Sequence, residues 1–142
     1  MSIIILSNVY TANKAYLNMY LSYENTYSVT SSIIAQLQNT PGYTVESKVA
    51  LVGEWPEPAF YDIYFADLYD LMGVGGISVN TYSIEYFFEY YHGFAINLVA
   101  EEEKEAISNN PEFTELSPYP NYGYIKRIDD IFVVKLSESF SS

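Results

Sequence analysis

Residues 111–138, PEFTELSPYPNYGYIKRIDDIFVVKLSE, contain the stretch that decides the fold. After a Pro-Tyr-Pro loop, residues 124–128 and 131–136 are predicted to be strands, and only Asp129 and Asp130 separate them. Two residues are the length of a tight hairpin turn, and aspartates are common in such turns. The sequence therefore predicts an antiparallel β-hairpin at the C-terminal end.

Upstream of this hairpin, predicted strands and helices alternate. Residues 48–53, KVALVG, form a continuous apolar run that ends in glycine, which is typical of a buried parallel strand. The other predicted elements are a helix at 59–71, a short strand at 77–79, a helix at 84–91 with Ser83 as its N-cap, a strand at 94–98, and a helix at 101–109 that opens with three glutamates. This alternation predicts an α/β fold, in the form of a small Rossmann-like, partly parallel sheet that is flanked by helices.

A long helix is predicted at the N-terminal end, over residues 8–39, and Pro41-Gly42 ends it. Its periodicity is carried by a stripe of mostly apolar and aromatic residues spaced by threes and fours: Val9, Ala12, Tyr16, Tyr20, Tyr23, Tyr27, Thr30, Ile34 and Leu37. Such spacing places the stripe on one helix face. We expect this face to pack against the core, with a ligand platform as the alternative.

Composition narrows the class of protein. The 142 residues predict a single domain over residues 1–142, with the α/β sheet region at 48–136. The formal net charge of −12, with only six Lys and Arg, argues against nucleic acid and against anionic lipid headgroups as partners. The absence of cysteine excludes disulfides, thiolate metal sites and thiol nucleophiles.

The sequence contains few residues that are suited to catalysis. His92 is the only histidine, and its place beside Gly93 predicts a cation at a helix C-terminus, with a catalytic base as the alternative. The glycines of Gly73-Val74-Gly75-Gly76 follow a helix and precede a strand, which is the reverse of a dinucleotide-binding loop. We therefore predict no nucleotide, no cofactor, no metal and no catalytic residue in these 142 residues.

Two loops supply the candidate contact residues. Glu54, Trp55 and Glu57 follow the strand at 48–53, and ligands of open α/β sheets bind beyond the carboxyl ends of the strands. Tyr119 and Tyr122 lie in the Pro-Tyr-Pro loop. Aromatic faces beside carboxylates suit a glycan or a partner protein, although an ordinary solvated loop is the alternative. A glycosidase would need two carboxylates at a defined separation, and the sequence does not fix one.

Ile3-Ile4-Ile5-Leu6 is an apolar segment at the start of the chain, too short to span a bilayer. It is interpreted either as a buried N-terminal turn or as the end of a membrane helix.

Three stretches resemble a known family. They are ANKAYLNMYLSYENTYSVTSSIIAQLQNTPGY at 12–43, KVALVGE at 48–54, and YYHGFAINLVAEEEKEAISNNPEFTELSPYPNYGYIKRIDDIFVVKLSE at 90–138. Together they resemble the C-terminal region of bacterial Gtr-type, or type II, membrane glucosyl transferases. The resemblance extends over residues 8–138, in which the elements occur in the same order and at similar spacing as in that family. No single motif is diagnostic.

The resemblance implies a polytopic membrane protein that transfers glucose from a polyprenyl-phosphate donor to a cell-surface glycan. Residues 3–6 would be the outer end of the last membrane helix, and aromatic residues after it would suit the membrane interface. The chain would then be an excised, soluble C-terminal domain on the extracytoplasmic face of a bacterial membrane, joined to that membrane through an upstream part.

The same resemblance places the catalytic carboxylates of such enzymes in upstream loops. We therefore expect this domain to be non-catalytic and to assist in positioning the glycan acceptor. The alternative is a free-standing acidic α/β module for binding or interaction, without enzymatic activity.

Overall fold

The computed structural model describes residues 2–56 and 81–138. These residues fall into two compact units: residues 2–28 belong to the first, and residues 29–56 with 81–138 belong to the second. The predicted helix at 59–71, the predicted strand at 77–79 and Gly73-Val74-Gly75-Gly76 lie outside the described residues. No helix among the residues described combines the length and the apolarity needed to cross a membrane.

The described elements follow the predicted alternation of helix and strand. In chain order they are α1 (Ser2–Asn39), β1 (Lys48–Val52), α2 (Thr81–His92), β2 (Asn97–Leu98), α3 (Glu101–Ser108), α4 (Pro111–Thr114), β3 (Ile125–Ile128) and β4 (Ile131–Lys135). The short helix α4 is an element that the sequence pattern did not predict. Its signal is Asn110, whose side chain accepts a hydrogen bond from the Glu112 N–H, followed by proline in the first helical turn.

The strands form one mixed four-stranded sheet in the order β2-β1-β4-β3. β1 pairs in parallel with β2 on one side and with β4 on the other, whereas β3 and β4 pair antiparallel. The register places Val52 beside Lys135, so β1 and β4 end at the same edge of the sheet. The predicted α/β fold with a partly parallel sheet and a C-terminal hairpin is therefore confirmed.

Helices cover both faces of the sheet. One core cluster joins the C-terminal part of α1 and α2 to one face through Ile33, Leu37, Phe88, Phe132 and Val134, which are at most 2% exposed. A second cluster joins α3 and α4 to the other face, with members Ala50, Val52, Val99, Ile107, Phe113, Leu116, Ile128 and Val133. Because both faces are covered, the central strands β1 and β4 are almost entirely apolar, as parallel strands usually are.

Local sequence accounts for the hairpin and for α3. Asp129 adopts a positive φ of 52° in the turn between β3 and β4, a conformation that aspartate tolerates better than most residues. α3 has no side-chain cap at Ala100, but its first turn carries three glutamates, which the helix dipole favours there. Glu103 also forms an ion pair with Lys48 at 2.7 Å, which ties α3 to the start of β1.

The predicted core role of the long tyrosine stripe is wrong over most of its length. Tyr16 and Tyr20 are 73% and 59% exposed, and Val9, Tyr23 and Tyr27 are also exposed. Over residues 8–39 of α1, the buried side chains are those of Thr26, Val29, Thr30, Ile33 and Leu37. The predicted helix is present, but only the last three turns of α1 pack against the sheet.

Two smaller expectations also need correction. Ser83 is not an N-cap, because the helix is already present at Thr81 and Ser83 lies inside it. The strand predicted at 94–98 is reduced to Asn97–Leu98. Phe94 and Ile96 instead pack partly buried against the first core cluster, and the Phe94 N–H donates to the Phe88 carbonyl at 3.0 Å. That hydrogen bond replaces the sheet pairing that the sequence pattern suggested.

Candidate functional site

The carboxyl ends of β1 and β4 bring distant parts of the chain together. The Leu136 N–H donates to the Val52 carbonyl at 2.8 Å, and the Glu54 N–H donates to Ser137 Oγ at 2.8 Å. From the other side, the Tyr119 N–H donates to the Lys135 carbonyl at 2.9 Å. These bonds place the loop after β1, the Pro-Tyr-Pro loop and the residues after β4 at one edge, which we call the carboxyl edge.

Gly53 is the residue that permits this close approach. Its φ is +104°, and a Cβ atom built on it would lie 2.7 Å from the Ser137 backbone nitrogen. Both facts favour glycine, since an L side chain would be strained and would collide with backbone. Glycine at this position therefore lets the chain leave β1 directly beside the residues that follow β4.

Trp55 lies partly buried at the carboxyl edge and packs against the first core cluster. Its Nε1 atom is buried and has no hydrogen-bond partner among the residues described. A buried indole N–H normally donates a hydrogen bond to an acceptor. The Trp55 N–H is therefore a hydrogen-bond donor that a ligand or another part of the chain could satisfy.

Tyr119 is likewise partly buried against the first core cluster. Its ring meets Tyr124 edge-on, with the centroids 5.2 Å apart. Burial, with a smaller contribution from Tyr119, raises the pKa of Tyr124 to about 12. The Tyr124 hydroxyl stays protonated at neutral pH and donates to the Ser32 carbonyl at 3.1 Å, which fastens the loop end to α1.

The remaining candidates differ in exposure. Tyr122 is 97% exposed, and the Glu54 side chain is also exposed. Glu57 lies outside the described residues. Of the five predicted contact residues, backbone hydrogen bonds thus bring Glu54, its neighbour Trp55, and Tyr119 to the carboxyl edge. Tyr122 lies three residues after Tyr119 in the same loop. Their role in binding stays a prediction.

His92 has a different environment from the one predicted. Its Nε2 atom lies 2.6 Å from Thr30 Oγ1, and Thr30 is fully buried in α1. Burial lowers the pKa of His92 below its usual value of 6.5, so the ring is neutral at pH 7. The expectation of a C-terminal cation is therefore wrong, because the ring turns into the interface between α1 and α2.

A cleft that the sequence analysis missed lies on the other side of the sheet, against α3 and α4. Its volume is about 430 Å³, and it is lined by Glu105, Ser108, Asn109, Phe113, Thr114, Lys135 and Glu138. Lys135 is the last residue of β4, and only 4% of its side chain is exposed. The available signal is a lysine within an otherwise apolar predicted strand, at 131–136.

The part of the chain that the structure describes contains no cluster of side chains that could bind a metal ion. Within residues 2–56 and 81–138, no group of three or more His, Asp or Glu side chains lies close enough together to hold a metal ion.

Comparisons with known proteins do not assign the chain to a family. No protein-family profile matches it, and no curated protein and no solved structure is significantly similar to it. The resemblance to type II membrane glucosyl transferases therefore stays a prediction from the sequence.

Proposed function

We propose that this chain is the extracytoplasmic C-terminal domain of a polytopic membrane glycosyltransferase, and that its carboxyl edge positions the acceptor glycan. The enzyme would be of the kind that transfers glucose from a polyprenyl-phosphate donor to a cell-surface glycan. The observation that supports this proposal is the carboxyl edge itself, where backbone hydrogen bonds to Lys135 and Ser137 bring the loops of Glu54 and Tyr119 to the end of β4.

The chemistry of this edge suits a sugar. An exposed carboxylate at Glu54 accepts hydrogen bonds from hydroxyl groups, and aromatic rings such as that of Tyr122 present stacking faces. The buried Trp55 N–H is a donor still without an acceptor among the residues described. In open α/β folds, ligands bind beyond the carboxyl ends of the parallel strands, which is where these groups lie.

The first half of α1 supports the membrane part of the proposal. Tyr10, Tyr16, Met19 and Tyr20 are 59% to 73% exposed, and Leu17 is 51% exposed. Lys14 and Glu24 are the only charged side chains in residues 2–28, so this segment is neutral overall while the chain carries −12. Neutral segments that are rich in exposed tyrosine suit the interface between a bilayer and water.

Fluorescence titration tests the carboxyl edge directly, because Trp55 is the only tryptophan. The titrant is the repeat-unit oligosaccharide of a bacterial cell-surface polysaccharide, and the readout is Trp55 emission together with amide shifts of residues 53–56 and 117–124. We expect saturable changes that Tyr122→Ser and Glu54→Gln weaken. Tyr90→Ser removes another exposed tyrosine, from α2, and should leave the titration unchanged. The proposed role in acceptor binding would be contradicted if millimolar oligosaccharide changed neither the Trp55 fluorescence nor the amide chemical shifts.

A further inference from the structure

We propose that the cleft lined by Lys135, Glu105 and Asn109 is a second binding site, and that its ligand is a neutral polyhydroxyl molecule of monosaccharide size. The cleft's volume of about 430 Å³ falls within the usual range of small-molecule sites. It lies against α3 and α4, on the side of the sheet opposite to the core cluster that holds Trp55 and Tyr119. The proposal therefore does not depend on the carboxyl edge or on the proposed function.

Lys135 is the group that makes this cleft unusual. A lysine is seldom as buried as this unless its ammonium group is paired. Here Nζ donates to the Leu116 carbonyl at 2.9 Å and lies 2.8 Å from a carboxylate oxygen of Glu138. It also lies 5.1 Å from the centre of the Phe113 ring. The protein thus holds a charged donor in a fixed position on the wall of the cleft.

The partner Glu138 is placed differently, because 72% of its side chain is exposed. An ammonium group has three N–H donors, and the Leu116 carbonyl and the Glu138 carboxylate account for two of those on Lys135. A ligand hydroxyl can therefore accept a hydrogen bond from Nζ while the Glu138 carboxylate accepts one from a neighbouring hydroxyl.

The end of α3 supplies another part of the lining. Ser108 Oγ and Asn109 Nδ2 both donate to the Glu105 backbone carbonyl, at 2.7 and 3.0 Å. Their donors are thus engaged within the helix end, while the Asn109 Oδ1 atom and the Glu105 carboxylate are acceptors. Phe113 adds an apolar ring to the lining. This combination of two carboxylates, an amide, two hydroxyls and one aromatic ring matches a ligand that has several hydroxyl groups.

Charge selects a neutral ligand over an anionic one. The lining contains one positive side chain, Lys135, and two negative ones, Glu105 and Glu138. The chain as a whole carries a net charge of −12, which repels anions. Lys135 alone would attract a carboxylate or a phosphate, but the carboxylates of Glu105 and Glu138 beside it repel such anions.

Amide chemical-shift mapping of the whole chain tests this site. Methyl α-glucoside is titrated as the neutral probe, and glucuronate as its anionic counterpart. We expect saturable shifts confined to residues 105–116 and 135–138, with glucuronate binding more weakly. Glu105→Gln should weaken methyl α-glucoside binding by about tenfold, as expected for loss of a hydrogen bond to a charged group. Glu102→Gln makes the same change on the same helix outside the cleft lining and should leave binding unchanged.

Lys135→Met is a second variant, which keeps the length of the buried stem and should abolish the shifts. Glu138→Gln, at an exposed position, keeps the proposal testable if the Lys135 variant does not fold, and it should weaken binding. The proposal is overturned by silent cleft amides at saturating probe, by tighter binding of glucuronate, or by equal binding to the Glu102 and Glu105 variants. Shifts at residues 53–56 with a silent cleft would overturn this inference alone and leave the carboxyl edge standing.

Discussion

Gly53 and His92 each connect elements that are distant in sequence. Gly53 lets β1 end against the residues that follow β4, and its backbone conformation and its crowding both exclude a side chain. His92 joins the end of α2 to the fully buried Thr30 of α1. Substitutions at these two residues therefore measure tertiary contacts.

Gly53→Ala is expected to destabilise the protein by about 2–3 kcal/mol, because it adds backbone strain and a backbone collision. Gly93→Ala is the matched control, since Gly93 also has a positive φ, of 61°, but a Cβ atom there meets nothing within 4 Å. We expect this control to cost about 1 kcal/mol, from strain alone. Urea unfolding of the two variants and the wild type measures the difference, and equal losses would contradict the close approach of Gly53 to Ser137.

The lowered pKa of His92 predicts how stability depends on pH. In the unfolded chain the imidazole binds a proton near its usual pKa of 6.5, whereas burial makes the folded protein bind it only at lower pH. Stability from this residue is therefore complete above pH 6.5 and declines as the pH falls from 6.5 through the folded pKa.

Comparison with His92→Gln isolates this effect, because glutamine is polar but does not titrate. The free energy of unfolding of wild type minus variant should be constant above about pH 7 and should fall as the pH drops below about 6.5. Other titrating groups cancel in that difference. A difference that is independent of pH would show that His92 titrates alike in the folded and unfolded states.

At the scale of elements, α1 has two distinct parts. Its last three turns bury Val29, Ile33 and Leu37 against the sheet, whereas its earlier tyrosines are exposed. Leu37→Ala should cost about 2–5 kcal/mol, because it removes buried apolar volume. Leu17→Ala makes the same change on the same helix at a side chain that is 51% exposed, and it should cost less than about 0.5 kcal/mol. Thermal unfolding of both variants tests this, and similar losses would contradict the assignment of the buried turns.

Elements with local signals were predictable from sequence. The β3–β4 hairpin was predicted because Asp129-Asp130 separates two strands, and α3 because its three glutamates suit a helix start. The correction at Ser83 arises because the helix is already present at Thr81. β2 is shorter than predicted because Phe94 and Ile96 pack against the first core cluster, which the local pattern does not reveal. Periodicity gave the tyrosine stripe the right spacing, but it carries no information on where along α1 the sheet lies.

For the candidate site, the position at the carboxyl edge of the sheet was predictable from the sequence, whereas the contacts that bring the separate loops to that edge were not. A parallel strand followed by Glu54 and Trp55 indicates the carboxyl edge, because ligands bind there in this class of fold. The approach of Tyr119 to that edge depends on a hydrogen bond to Lys135, 16 residues further along the chain, which no local pattern reveals. The cleft at Lys135 was missed for the same reason, since its lining comes from α3, α4 and β4.

At the scale of the whole molecule, an acidic α/β sheet region follows a neutral, tyrosine-rich helix. The segment from 2 to 28 contains only Lys14 and Glu24 as charged side chains, so the whole formal net charge of −12 lies beyond it. Under the proposed function, the neutral helix suits a membrane interface, whereas the acidic remainder of the chain is unsuited to contact with anionic headgroups. This division of charge is the physical basis for the proposed origin of the chain in a larger membrane enzyme.

Sequencing the gene upstream of the Met1 codon tests that central claim most directly. The proposal predicts that the reading frame continues upstream and encodes several apolar segments of about 20 residues, each long enough to span a bilayer. An in-frame stop codon immediately upstream, with translation starting at Met1, would contradict it and would leave a free-standing acidic α/β binding module.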